Sequence, residues 1–182
     1  MRRYDPQRRQ RIIDAAIRVV GAKGIAGLSH RSAAAEADVP LGSTTYHFKT
    51  LDDLLVAALH QANEGFARAV ADSPALADPQ TDLAAALARL LGEFLAGDRT
   101  GVELEYELYL AALRRPALRP VAAQWYEAVA TALTPRTDPA TARALVAVMD
   151  GMSLQVLLTD AQYDEPYARE ILDRVLRPSR PA

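Results

Sequence analysis

Residues 29–48 read SHRSAAAEADVPLGSTTYHF, and Lys49 follows. Hydroxyls, imidazoles, a phenol and cations crowd this short stretch, and such groups donate hydrogen bonds to phosphates and base edges. A second set lies in VELEYELYLAALRR, where Glu103, Glu107 and Arg114 recur at helical spacing beside Tyr106 and Tyr109. Enzyme chemistry is poorly served. The chain has no cysteine, and its three histidines, His30, His47 and His60, include no i, i+4 pair. GxSxG, GxGxxG, the P-loop and HExxH are all absent, so no nucleophile elbow, phosphate cradle or His-based zinc site is expected, and no metal or cofactor.

Charge distribution sharpens the first set. The net charge over 182 residues is −2, yet residues 1–50 carry nine Lys/Arg against four Asp/Glu, and the other 132 carry 12 against 19. A basic head on an acidic body suits a polyanion at one surface and a different partner at another. The start, MRRYDPQRRQRIIDAA, has no apolar core of a signal peptide, and no stretch approaches about 18 uninterrupted apolar residues. A cytoplasmic protein without a membrane partner is expected.

The elements that must position these groups are helical. Ala and Leu dominate, glycine is sparse, and clean alternation over six residues is missing. Punctuation predicts about nine helices: about 6–22, stopped by Gly24; a short one capped by Ser29; a short one to His47 after the turn Asp38-Val39-Pro40; then one opened by a Thr50/Asp53 capping box and running to Val70. Residues 72–82, rich in Asp and Pro, read as a loop. Further helices are expected over 83–96, 102–114, from Pro116 or Pro120 to 133, over 139–159, and from Asp164 to about 176, with a frayed tail over 177–182.

Three short helices in a basic head fit a helix-turn-helix, although short Ala-rich hairpins also occur in bundles. Residues 8–59, with their amphipathic first helix, Gly24, Leu28-Ser29, the Ala-rich helix and GSTTYHFKTLDDLL, resemble the TetR-type (tetracycline repressor-like) family of transcriptional regulators. The resemblance implies an all-α fold: a DNA-binding domain over 1–50 and a ligand-binding and dimerisation bundle over 51–182. It implies a dimer on a palindromic operator in double-stranded DNA, with a small-molecule effector and repression as the default. Asp38 stands where the family's turn usually has Gly, Leu41 where a polar or basic residue is common, and Thr45 where Tyr is common, so the operator cannot be borrowed from relatives.

By the same resemblance Ser29, Ser43, Tyr46, His47 and Lys49 fall at phosphate-contacting positions, and Leu41, Gly42 and Thr45 at base-facing ones, with His30 and Arg31 adding contacts. Tyr46 is equally readable as core packing, and Phe48 as core alone. Arg2, Arg3, Arg8 and Arg9 read either as a phosphate-binding arm or as a solvated charge run.

In the body, Tyr106, Glu107, Tyr109, Trp125, Tyr126 and Gln155 are the candidates for an effector pocket, with Glu107 for a cationic ligand; a solvated Glu–Arg stripe and aromatic core are the alternatives. Residues 145–157 are apolar on nearly all faces, which in a small bundle calls for a second molecule. Met149, Met152, Val156, Leu172 and Val175 are the candidates for the dimer face. Gly151 inside that helix implies close approach of another helix or of a ligand. A helical adaptor that uses the basic head on an acidic protein is the rival function.

Overall fold

The structure is a computed structural model that describes residues 6–97, 99–159 and 161–177. Arg2, Arg3 and most of the expected frayed tail lie outside the described residues. Among these the fold is all-α, with no strand. The helices are α1 (Arg8–Lys23), α2 (His30–Glu36), α3 (Leu41–His47), α4 (Leu51–Ala71), α5 (Pro74–Ala77), α6 (Leu83–Ala96), α7 (Arg99–Ala111), α8 (Arg119–Leu133), α9 (Pro139–Thr159) and α10 (Glu165–Leu176). Short 3-10 turns occupy Ile25–Gly27 and Pro116–Leu118. Nine of the ten helices answer to the nine expected. The tenth, α5, falls inside the expected loop because Ser73 caps it, accepting from the Leu76 N–H, with Pro74 at its first position.

Packing divides the chain into two compact units, residues 1–63 with 103–122, and residues 64–102 with 123–182. This outline differs from a cut after residue 50. Leu104, Leu108 and Ala112 of α7, with Leu118 and Val121, join Ile12, Ala16, Val20, Phe48, Leu55 and Leu59 in the core of the first unit. In the second unit α10 packs on α6 and α9, and Leu87, Leu91, Leu145 and Leu172 are among its fully buried side chains.

α9 is the one described helix long and apolar enough to cross a membrane by length and composition. It instead buries Ala142, Leu145, Val146, Met149, Met152 and Ser153, one face at helical spacing.

Local chemistry fixes the second unit's corners. The Asp82 carboxylate caps α6 by accepting from the Ala85 N–H at 3.0 Å and also meets Arg169 of α10 at 2.7 Å. The Ala85 N–H first, and Arg169 second, hold its carboxyl below the ordinary 3.8. A lowered acid stabilises the fold above its unfolded pKa, and that increment is lost as pH falls through the folded value. Asp82→Ala is therefore expected to cost about 1 kcal/mol at neutral pH. Urea titrations should show the deficit shrinking as pH drops below 3.8; a deficit constant with pH would contradict the cap.

Tyr163 lies against α6, its hydroxyl donating to the Ala88 carbonyl at 2.6 Å, and burial pushes its phenol above the usual range. Gly92 makes room for it, since a Cβ there would come within 2.8 Å of the ring.

Candidate nucleic-acid and effector sites

The head is built by its caps. Ser29 accepts from the Ser32 N–H at 3.0 Å, and the Ser29 N–H donates to the Ser32 hydroxyl at 2.8 Å, a reciprocal capping box that starts α2. The turn bends at Asp38, the only described residue other than glycine with positive φ, at 51°. Aspartate tolerates that conformation, so the usual glycine is dispensable here. Pro40 opens α3, and buried Thr44 donates to the Leu41 carbonyl at 2.8 Å. Phe48 is buried, with the Arg9 guanidinium over its ring at 5.1 Å. Thr50 and Asp53 form the capping box of α4, at 2.9 and 3.1 Å.

What this frame leaves outward is the expected set. Leu41, Gly42, Thr45, Tyr46 and Lys49 are exposed, Ser43 and His47 half-buried, and Ser29 and Arg31 exposed. Tyr46 is 82 % exposed, its ring edge-on to His47, which removes the core-packing reading. Leu41 is 45 % exposed, a large apolar side chain left partly open to solvent. A Cβ at Gly42 would meet nothing within 4 Å, so internal packing does not demand glycine there. His30 is half-buried, and its Nδ1 has no hydrogen-bond partner.

The effector candidates scatter. Glu107 is exposed, and its Oε1 accepts from the Ile25 N–H at 2.8 Å, fastening α7 to the 3-10 turn after α1. Gly24, at φ 68°, keeps this approach open. The following turn is fastened too, by Arg115 on Asp52 at 2.6 Å. Glu107 is thus committed to the head, and Glu103 is exposed. Glu105, 7 % exposed, is the one buried carboxylate among the described residues. Glu105 lies outside the Glu103–Glu107–Arg114 helical spacing, so periodicity gives it no signal. Tyr106 is buried and Tyr109 half-buried.

In the second unit Trp125 is 8 % exposed and lies 6.5 Å from the Phe66 ring, which in turn is 4.8 Å from Phe94. Tyr126 instead donates to the Arg143 carbonyl at 3.1 Å. Gln155 is exposed and lines a separate cleft of about 310 Å³ with Met152, Val156 and Tyr167.

The dimer candidates need the same sorting. Met149, Met152 and Leu172 are 2 %, 9 % and 0 % exposed within a single chain, so they are core and have almost no surface to offer a partner. Val156 and Val175 are half-buried. The opposite side of α9 carries Ala144, Ala147, Val148, Gly151, Leu154 and Leu158, all exposed or half-exposed. Leu158 is 80 % exposed, and a Cβ at Gly151 would meet nothing.

An outward recognition helix on a capped helix-turn-helix, followed by a helical body, defines a one-component DNA-binding regulator. A family model described as "Tetracyclin repressor-like, C-terminal domain" matches residues 78–178. The multidrug binding protein EbrR, seen in crystal structures complexed with imidazole, ethidium, proflavin and malachite green, is highly similar. Its imidazole complex is 76 % identical with a TM-score of 0.92, covering 97 % of this chain and 98 % of that one. A TetR family member from Streptomyces coelicolor A3 is 77 % identical with a TM-score of 0.88, over 95 % of this chain and 100 % of that one. The nicotine-responsive transcriptional repressor HdnoR of Paenarthrobacter nicotinovorans is 29 % identical over 97 % of this chain and 95 % of its own. The chain belongs to the TetR family of transcriptional regulators.

Proposed function

We propose that this protein is a cytoplasmic homodimeric repressor, without catalytic activity or a membrane partner, that holds a palindromic operator and lets go when a planar or propeller-shaped aromatic cation binds. Residues 1–50 carry the DNA-binding function, and residues 51–182 carry effector binding and dimerisation. The observation that carries this reading is the likeness to EbrR over nearly the whole chain, joined to the outward set on α3.

The chemistry supports each part. Ser29, Ser43, Tyr46, His47 and Lys49 suit phosphates, while Leu41 and the Thr45 methyl suit thymine methyls and Gly42 allows close backbone approach. Arg31 and His30 stand beside them on α2. For the effector, the dyes complexed with EbrR are aromatic cations. Phe66, Phe94 and Trp125 of the second unit supply ring surface for such a cation. For the dimer, the small and apolar outward stripe of α9, with Val156 and Val175 at its margins, suits a helix-on-helix contact in which Gly151 permits close approach.

Selection of bound duplexes from a random pool tests the DNA reading. A palindrome with half-sites at least about 34–36 Å apart is expected, since two-fold protein symmetry is mirrored in the site. Recovery of single half-sites, or of no consensus, would contradict it.

A further inference from the structure

The second unit holds a cleft of about 310 Å³ where the end of α9 meets the start of α10. That volume lies at the lower end of the usual range for small-molecule sites. Met152 and Ala168 are its buried floor, and Val156, Tyr163 and Tyr167 its walls. Phe66, Phe94 and Trp125 are not among its lining residues. Tyr163 is held in place, its hydroxyl on the Ala88 carbonyl and its ring against Gly92. Tyr167 is 53 % exposed, so core packing does not account for an aromatic residue there.

Charge has one sign in this cleft. Among the described residues that line it, Asp164 alone is charged. Its Oδ1 accepts from the Tyr167 N–H at 2.9 Å, which fixes the carboxylate without cancelling its charge. That field reaches the wall: after burial, the charges of Glu165 and Asp164 help push the Tyr163 phenol above its usual range. Val156 and Thr159 belong to the last turn of α9, the helix end whose carbonyls carry partial negative charge. Arg99 already donates to one of these, the Leu157 carbonyl, at 3.3 Å. The larger neighbouring cleft, about 690 Å³, has no such bias, because Arg89 and Arg99 offset Glu93 and Glu165.

We propose that the cleft between the end of α9 and the start of α10 is a second small-molecule site, apart from the operator-releasing one, and takes an alkylammonium monocation. The alkyl groups lie against Met152, Val156 and the two tyrosine rings, and the charge faces Asp164. Ring attraction and the carboxylate act on the same positive charge, so an uncharged molecule of equal shape gains neither.

Choline and 3,3-dimethyl-1-butanol test the proposal, being nearly the same shape with and without the charge. Both are titrated by ligand-observed NMR into the full-length protein and two variants. Asp164→Asn keeps a capping side chain and removes the charge; Tyr167→Leu keeps apolar bulk and removes the ring. Choline should bind the wild-type protein about tenfold tighter than the alcohol. Asp164→Asn should weaken choline about fivefold and leave the alcohol within about twofold. Tyr167→Leu should weaken choline about threefold. Both variants should melt close to the wild type, since asparagine caps as well as aspartate and Tyr167 is exposed. No choline binding, equal binding of the two probes, or choline affinity untouched by Asp164→Asn would overturn the proposal. Should that variant not fold, unchanged choline affinity in Tyr167→Leu would overturn it instead. The operator-releasing reading stands in each case.

Discussion

An aspartate at Leu172 is expected to unfold the protein, whereas one at Leu158 is expected to leave each chain folded and separate the dimer. Leu172 has 0 % exposure within a single chain and sits on α10 where it packs against α6 and α9. Truncating such a leucine costs about 2–5 kcal/mol, and an unpaired buried charge adds several more. The sum rivals a typical total stability of about 5–15 kcal/mol. Leu158 is 80 % exposed, so a charge there should alter the chain's own stability by no more than about 0.5 kcal/mol. At a dry interface between two copies, the same charge is costly. Circular dichroism melts and sedimentation equilibrium on both variants separate the cases. A folded Leu172→Asp protein would contradict the described core, and a fully dimeric Leu158→Asp protein would move the interface off the outward stripe of α9.

Lys49→Ala is expected to weaken binding to every duplex alike, while changes at Leu41 or Thr45 re-rank operator variants. Lys49 is exposed between the end of α3 and the capping box of α4, where a cation suits a phosphate rather than a base edge. Each phosphate contact contributes about 0.9 to the slope of log affinity against log salt, so a dimer that loses two should flatten by roughly 1.8. Tyr46→Ala should also weaken all sequences, but it removes no charge and should leave the slope unchanged. Fluorescence anisotropy over a salt series reads both quantities. An unchanged slope for Lys49→Ala would remove the phosphate assignment, and a uniform loss for Leu41→Ala would remove the base-reading one.

Local chemistry was readable from the chain, and rotational phase was not. The Ser29 and Thr50/Asp53 caps and Pro40 at the mouth of α3 follow from residue types within a few positions of one another, while the left-handed Asp38 and the outward residues of α3 came through the resemblance to the family. Tyr46 needed the fold, because a phenol beside a buried Phe48 reads equally well as core. On α7 and α9, apolar residues cover so much of the circumference that periodicity does not say which arc meets the core. Hence Glu107, chosen for its spacing, turns out to hold the Ile25 N–H, while Glu105 is the buried acid. For the same reason Met149 and Leu172 read as interface and belong to the core.

The central claim is that effector and operator compete through one coupling free energy. Operator affinity measured by anisotropy with and without saturating malachite green tests it most directly, because this propeller-shaped cation does not intercalate as flat dyes do. A ligand acts only by favouring one dimer geometry over the other. Reciprocity then requires saturating operator to weaken dye binding by the same factor, about 5- to 150-fold for couplings of ordinary size. Matching losses in both directions are the expected result. Dye that binds the protein and leaves operator affinity unchanged would contradict the account.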